Sequence, residues 1–115
     1  STILVTHDFG VAAELCNRIY VMYAGKIVEH GDVSAIYSHP KHPYTVGLFR
    51  CVLRVDTRSE VIMTIPGSVP TLVNPLPGCS FHPRCPYSKQ ICEKKDPPLV
   101  EIGSGHDVFC WLYGE

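Results

Sequence analysis

Eight of the ten prolines in this 115-residue chain fall after residue 54, and four of the six cysteines fall with them. Pro66, Pro70, Pro75, Pro77, Pro83, Pro86, Pro97 and Pro98 interrupt the second half every few residues. Proline fixes φ and removes a backbone donor, so such a stretch predicts no long helix and no central strand. About sixty residues of this kind bury little apolar surface, and a covalent or metal staple is expected to help hold them. Residues 55–115 are therefore read as a small, Pro/Cys-rich irregular extension.

Residues 1–54 have a different texture. Residues 2–6, Thr-Ile-Leu-Val-Thr, form a short apolar run of the kind found in strands buried on both faces. The run predicts a strand whose sheet neighbours belong to sequence preceding Ser1. Asp8 can cap a helix in which Phe9, Ala12, Ala13 and Cys16 recur at helical spacing. Residues 18–23 and 26–29 predict a hairpin turning at Ala24-Gly25-Lys26, with His30-Gly31 ending it. Asp32 can cap a helix over residues 33–37. Pro43 suits the first turn of another, with Leu48, Cys51 and Val52 as its apolar stripe. The fold class is an α/β piece, residues 1–54, followed by the extension. A strand is also expected at residues 61–65.

Ten basic and eleven acidic side chains are interspersed, giving a formal net charge of -1. That balance provides neither the basic footprint of a nucleic-acid binder nor a polybasic membrane patch. The first residues have no basic flank of a signal peptide, and no run reaches the roughly 20 apolar residues of a membrane span. The expected setting is cytoplasmic, with docking on a membrane protein left open.

Val5-Thr6-His7-Asp8 places His7 at the carboxyl end of the first apolar run, just before a helix. Ligands of open α/β sheets sit at that edge. An imidazole there can donate to a phosphate oxygen and help orient a water, because phosphoryl transfer is largely positioning and charge stabilisation. The plainer alternative is a histidine satisfied by backbone groups. His30, His39 and His42 lie within thirteen residues, but interleaved prolines and the lack of i, i+4 spacing favour a rigid connector over a metal site.

The tail cysteines Cys79, Cys85, Cys92 and Cys110 follow the spacing C-x5-C-x6-C-x17-C. Disulfides would need an oxidising compartment. Zinc would suit four thiolates, or three with His82, although no tight C-x2-4-C knuckle is present. A [4Fe–4S] cluster tolerates irregular spacing and often has a proline after a ligand, as in Cys85-Pro86. Four unligated thiols in a small core fit equally well.

The run THDFGVAAELCNRIYVMYAGKIVEHGD resembles the segment of ABC-transporter ATPases that begins at the switch histidine. HPYTVGL, Ile65-Pro66-Gly67-Ser68-Val69-Pro70 and Gly78-Cys79-Ser80-Phe81-His82-Pro83-Arg84-Cys85-Pro86 are similar to markers of the C-terminal extension in ATP-binding subunits of oligopeptide, dipeptide and nickel importers. The resemblance implies that His7 contacts the ATP γ-phosphate and that Asp8 is a helix cap. It also implies ATP with Mg in the full-length protein and a second ATPase subunit. Transmembrane permease subunits, an indirectly linked peptide-binding protein and a peripheral place on the cytoplasmic face of the membrane follow as well. Some members of the family carry a [4Fe–4S] cluster on four such cysteines, which implies that role for Cys79, Cys85, Cys92 and Cys110. No G-x-x-x-x-G-K-[ST] loop, Walker B run or LSGGQ-like signature occurs in the 115 residues, so by themselves they are expected to be catalytically inactive. A stand-alone iron–sulfur or zinc module, or a cofactor-free interaction domain, are the competing functions.

Overall fold

The hairpin is the first element that the local sequence dictates. Arg18–Tyr23 (β1) and Lys26–Asp32 (β2) pair antiparallel around Ala24-Gly25, whose φ angles of 49° and 80° give the left-handed pair that a two-residue hairpin turn requires. The computed structural model describes residues 1–53, 65, 67–103 and 105–114. β2 does not stop at His30-Gly31 as expected, because a second strand extends it. His106–Phe109 (β4) pairs with β2 through Glu29↔Val108, His30↔Asp107 and Gly31↔His106. Leu99–Gly103 (β3) closes the sheet, whose order is β1-β2-β4-β3.

The sheet is irregular at one telling place. Val21 pairs with Glu29 but Met22 pairs with Ile27, so Val28 is an extra residue in β2. Such a bulge breaks the strict in/out alternation and re-aims side chains. Val28 and Glu29, consecutive in sequence, are accordingly both buried.

Helices cover this sheet. Phe9–Leu15 (α1) starts as expected, with the Asp8 carboxylate accepting from the Val11 N–H. Val33–Ser38 (α2) has Asp32 at its N-cap position but without a side-chain cap bond; that carboxylate faces Arg18 at 3.7 Å. Pro43–Leu53 (α3) begins on its proline, and its buried face holds Thr45 and Phe49, with Leu48 packed beside them. The stripe expected on Leu48, Cys51 and Val52 is thus rotated toward Phe49. Its partners, Phe9 and Tyr37, are aromatic and lie on that side. The Val52 side chain, and the strand expected at 61–65 apart from Ile65, lie outside the described residues.

Two expectations are corrected. Residues 2–6 form no strand: Ile3 and Val5 are 94% and 93% exposed. A strand of that type takes its hydrogen bonds from neighbours on both sides, and none of the strands described here borders it. The second half is also more regular than its prolines suggest. A 3-10 turn (His82–Arg84), Gln90–Lys94 (α4), β3 and β4 all belong to it, and β4 is an interior strand. The prolines end at Pro98, so every residue of β3 and β4 keeps its backbone donor. The sheet consequently takes strands from both sides of residue 54.

The core lies where the two halves meet. Val21, Tyr23, Val28, Ile36 and Phe49 come from the first half and Phe81 from the second. Close backbone approach makes one residue sensitive: a Cβ at Gly31 would sit 2.5 Å from the Gly105 carbonyl oxygen and 3.0 Å from the His106 Cα. Gly31→Ala is expected to destabilise the chain by about 2 kcal/mol, as an overpacked core position does. Urea unfolding checks this, with faster amide exchange in β4 than in β1 as the local signature.

Candidate functional site

His7 sits in a turn that its neighbours fix. The Asp8 N–H donates to Thr6 Oγ1 at 3.0 Å, and the Asp8 carboxylate then caps α1. The imidazole between them is exposed at the head of the helix. Phe9, the next residue, anchors the turn to the core. Its ring meets Phe49 edge-on at 5.0 Å, and its carbonyl accepts from the Tyr37 hydroxyl. Burial, and secondarily the nearby Asp8 and Cys16, push the Tyr37 phenol above its ordinary range, so it remains a donor.

The cysteine loop is built around Phe81, which is 2% exposed and inserts among Tyr23, Tyr44 and His42 at ring distances of 5.2, 5.5 and 5.7 Å. On one side of it the Cys79 N–H donates to the Cys92 carbonyl at 2.8 Å. Gly78 permits that closeness, since a Cβ there would lie 2.2 Å from the same oxygen and its φ is 75°. On the other side the 3-10 turn carries the chain to Cys85, whose N–H donates to the His82 carbonyl at 3.3 Å. The Lys89 N–H donates to Cys92 Sγ at 3.4 Å, and Cys110 is buried just after β4.

The four tail thiols share one neighbourhood. Burial raises the Cys79, Cys85 and Cys110 thiols, and for Cys110 burial together with the nearby Cys79, Cys85 and Cys92 brings it to about 11. Among the described residues no three His, Cys, Asp or Glu side chains stand close enough to grip a single metal ion. That statement covers His82, and also the connector histidines. His39 is exposed, whereas His30 stacks on Tyr20 at 4.9 Å and faces Asp107 at 3.6 Å. His42 is buried.

A further polar centre was not legible in the residue spacing. Glu29, brought inward by the bulge, is fully buried. Its Oε1 lies 2.6 Å from His106 Nε2 and accepts the Lys41 N–H at 2.8 Å, while Oε2 accepts the His42 N–H at 2.9 Å. The tail, the connector and the hairpin meet on this one carboxylate.

Residues 28–92, more than half of the chain, match the family described as the oligopeptide/dipeptide transporter, C-terminal region. The chain belongs to that family. It is 42% identical over 113 residues to a dipeptide transport ATP-binding protein, DppD, of Caldanaerobacter subterraneus, covering 98% of this chain and 35% of the relative. It is 46% identical over 116 residues to a probable peptide ABC transporter ATP-binding protein, y4tR, of Sinorhizobium fredii, covering 100% and 35%. The oligopeptide transport ATP-binding protein OppD of Escherichia coli is 41% identical over 109 residues, covering 95% and 32%. The chain thus spans about a third of the length of these relatives, and it corresponds to a C-terminal part of an oligopeptide/dipeptide ABC ATPase. The matched stretch contains the HPY segment and the loop that carries Cys79, Phe81, Cys85 and Cys92; His7 and Cys110 fall outside it.

The HPY histidine has a measurable consequence. Burial holds His42 neutral and lowers its pKa from 6.5 to about 4, and its Nδ1 accepts the Tyr44 N–H at 3.1 Å. The unfolded chain takes up a proton there first. The stabilisation is therefore complete above pH 6.5 and is lost as pH falls toward 4. Between pH 7 and pH 5 this one group is expected to remove about 2 kcal/mol. His42→Gln should lower stability at pH 7 and flatten the acid slope by that amount, as read from urea midpoints at the two pH values.

Proposed function

We propose that the intact protein is the ATP-binding subunit that energises ATP-dependent import of oligopeptides or dipeptides. The observation that carries this reading is the family membership together with relatives named as peptide-transport ATP-binding proteins over nearly the whole chain. Residues 1–54 are then the closing part of the ATPase domain, and residues 55–115 the importer-specific extension. Partners on this reading are a second ATPase subunit and membrane-spanning permease subunits, with a peptide-binding protein acting through them. The subunit sits peripherally on the cytoplasmic face of the membrane. In keeping with that, no described helix is long and apolar enough to cross a bilayer.

His7 is assigned the γ-phosphate. The Thr6–Asp8 turn holds it at the head of α1, and the Phe9–Phe49–Tyr37 contacts keep that head in place. An exposed imidazole so held can donate to a phosphoryl oxygen and orient the attacking water. Mg accompanying ATP would neutralise phosphate charge. His7→Ala in the full-length subunit is expected to lower ATP turnover by about 100-fold or more, the scale of losing a positioned hydrogen-bonding group, while ATP affinity changes little. Turnover within a factor of two or so of wild type would remove the switch role.

A second reading concerns the extension. Cys79, Cys85, Cys92 and Cys110 share one neighbourhood, which suits a common ligand, and the family resemblance favours a [4Fe–4S] cluster over zinc as that ligand. A cluster tolerates the irregular C-x5-C-x6-C-x17-C spacing, whereas the tight C-x2-4-C knuckle usual for zinc does not occur in it. Bound there, the cluster would supply a structural or redox-sensing centre. Oxygen-free purification of the full-length subunit should yield a brown protein with equal iron and sulfide, and Cys92→Ser should lower both. Stoichiometric zinc would instead assign the set to zinc, and absence of all three would leave free thiols.

A further inference from the structure

Glu29 is a charged group in a place where an unpaired charge is strongly disfavoured. The extra residue Val28 turns it inward, and its two oxygens are taken by donors from two different segments. One is β4 of the tail, through His106, which is 5% exposed. The other is the connector ahead of α3, through the Lys41 and His42 N–H groups. The tail returns to the same connector from its far end, where the Tyr113 hydroxyl donates to the Lys41 carbonyl at 3.1 Å. Lys41 is thereby held on one side by the hairpin and on the other by the tail.

We propose that Glu29 is a docking latch for the tail, a positioning residue that fastens β4 and the connector to the hairpin. Detaching either segment strips donors from a buried carboxylate, so the two segments are held or released together. Backbone pairing alone would not couple them, because the connector lies outside the sheet. The latch does not depend on ATP turnover or on what the cysteines hold, and it can be tested without either.

The test is hydrogen–deuterium exchange on the full-length subunit. His106→Ala is expected to speed exchange about tenfold or more at residues 106–109 and also at residues 41–42, while β1 amides stay within about twofold of wild type. His106→Gln, which keeps a donor, should restore most of the protection. Glu29→Ala should loosen both segments, and adding His106→Ala to it should have little further effect, the sign of a shared interaction. Unchanged exchange at residues 41–42 in His106→Ala would overturn the proposal, as would β1 loosening as much as β4. If Glu29→Ala does not fold, the two His106 variants decide the matter alone.

Discussion

Strand β2 is the constraint on which everything else in this molecule rests. One of its edges is fixed locally by the two-residue turn to β1, and the other is filled by β4 from the far end of the chain. Local pairing forms readily, while the distant pairing must offset the entropy of closing a loop of more than seventy residues. Side-chain interactions supply what the ladder alone does not. The bulge at Val28 places both an apolar residue and a carboxylate on the buried side of β2, so the strand presents packing and hydrogen-bond acceptors to the same neighbours.

Aromatic packing extends this arrangement to the two candidate sites. Phe81 projects from the cysteine loop into a group with Tyr23, Tyr44 and His42. Phe9, next but one to His7, packs on Phe49, and Phe49 belongs to the same core cluster as Phe81. Each well-placed aromatic pair contributes about 0.5–1.5 kcal/mol beyond its buried area. The His7 turn and the cysteine loop therefore both border one core, and neither is an appendage to the other.

Much of this was legible in the residues, and the exceptions have physical causes. Asp8, Ala24-Gly25 and Pro43 act through nearest neighbours, and each does what local chemistry predicts. Residues 2–6 read as a strand because their side chains suit one, but strandedness depends on partners that a local pattern does not contain. Glu29 was hidden by the bulge, since strict alternation puts it opposite Val28. Helical spacing alone gives a range of faces for α3, the Leu48, Cys51 and Val52 stripe among them; the aromatic partners select Phe49. β4 is hidden when proline density is averaged across the second half, whereas residues 99–109 contain none. For His7 and the four tail cysteines, position and spacing alone leave several chemistries open, and only the resemblance assigns them a particular role.

That last point bears on what holds the extension together. A proline-rich stretch of this size was expected to need a staple, and its cysteines were the evident candidates. The fold supplies staples of another kind: a strand added to β2, an aromatic ring set into the core and a carboxylate shared with the connector. None of these uses a thiol. Burial meanwhile keeps the Cys79, Cys85 and Cys110 thiols protonated near neutral pH, so they pack as small apolar groups and do not repel one another as thiolates would. Docking of the extension and the chemistry of its cysteines are thus physically separable. A cofactor bound by the thiols would add a further staple to these contacts.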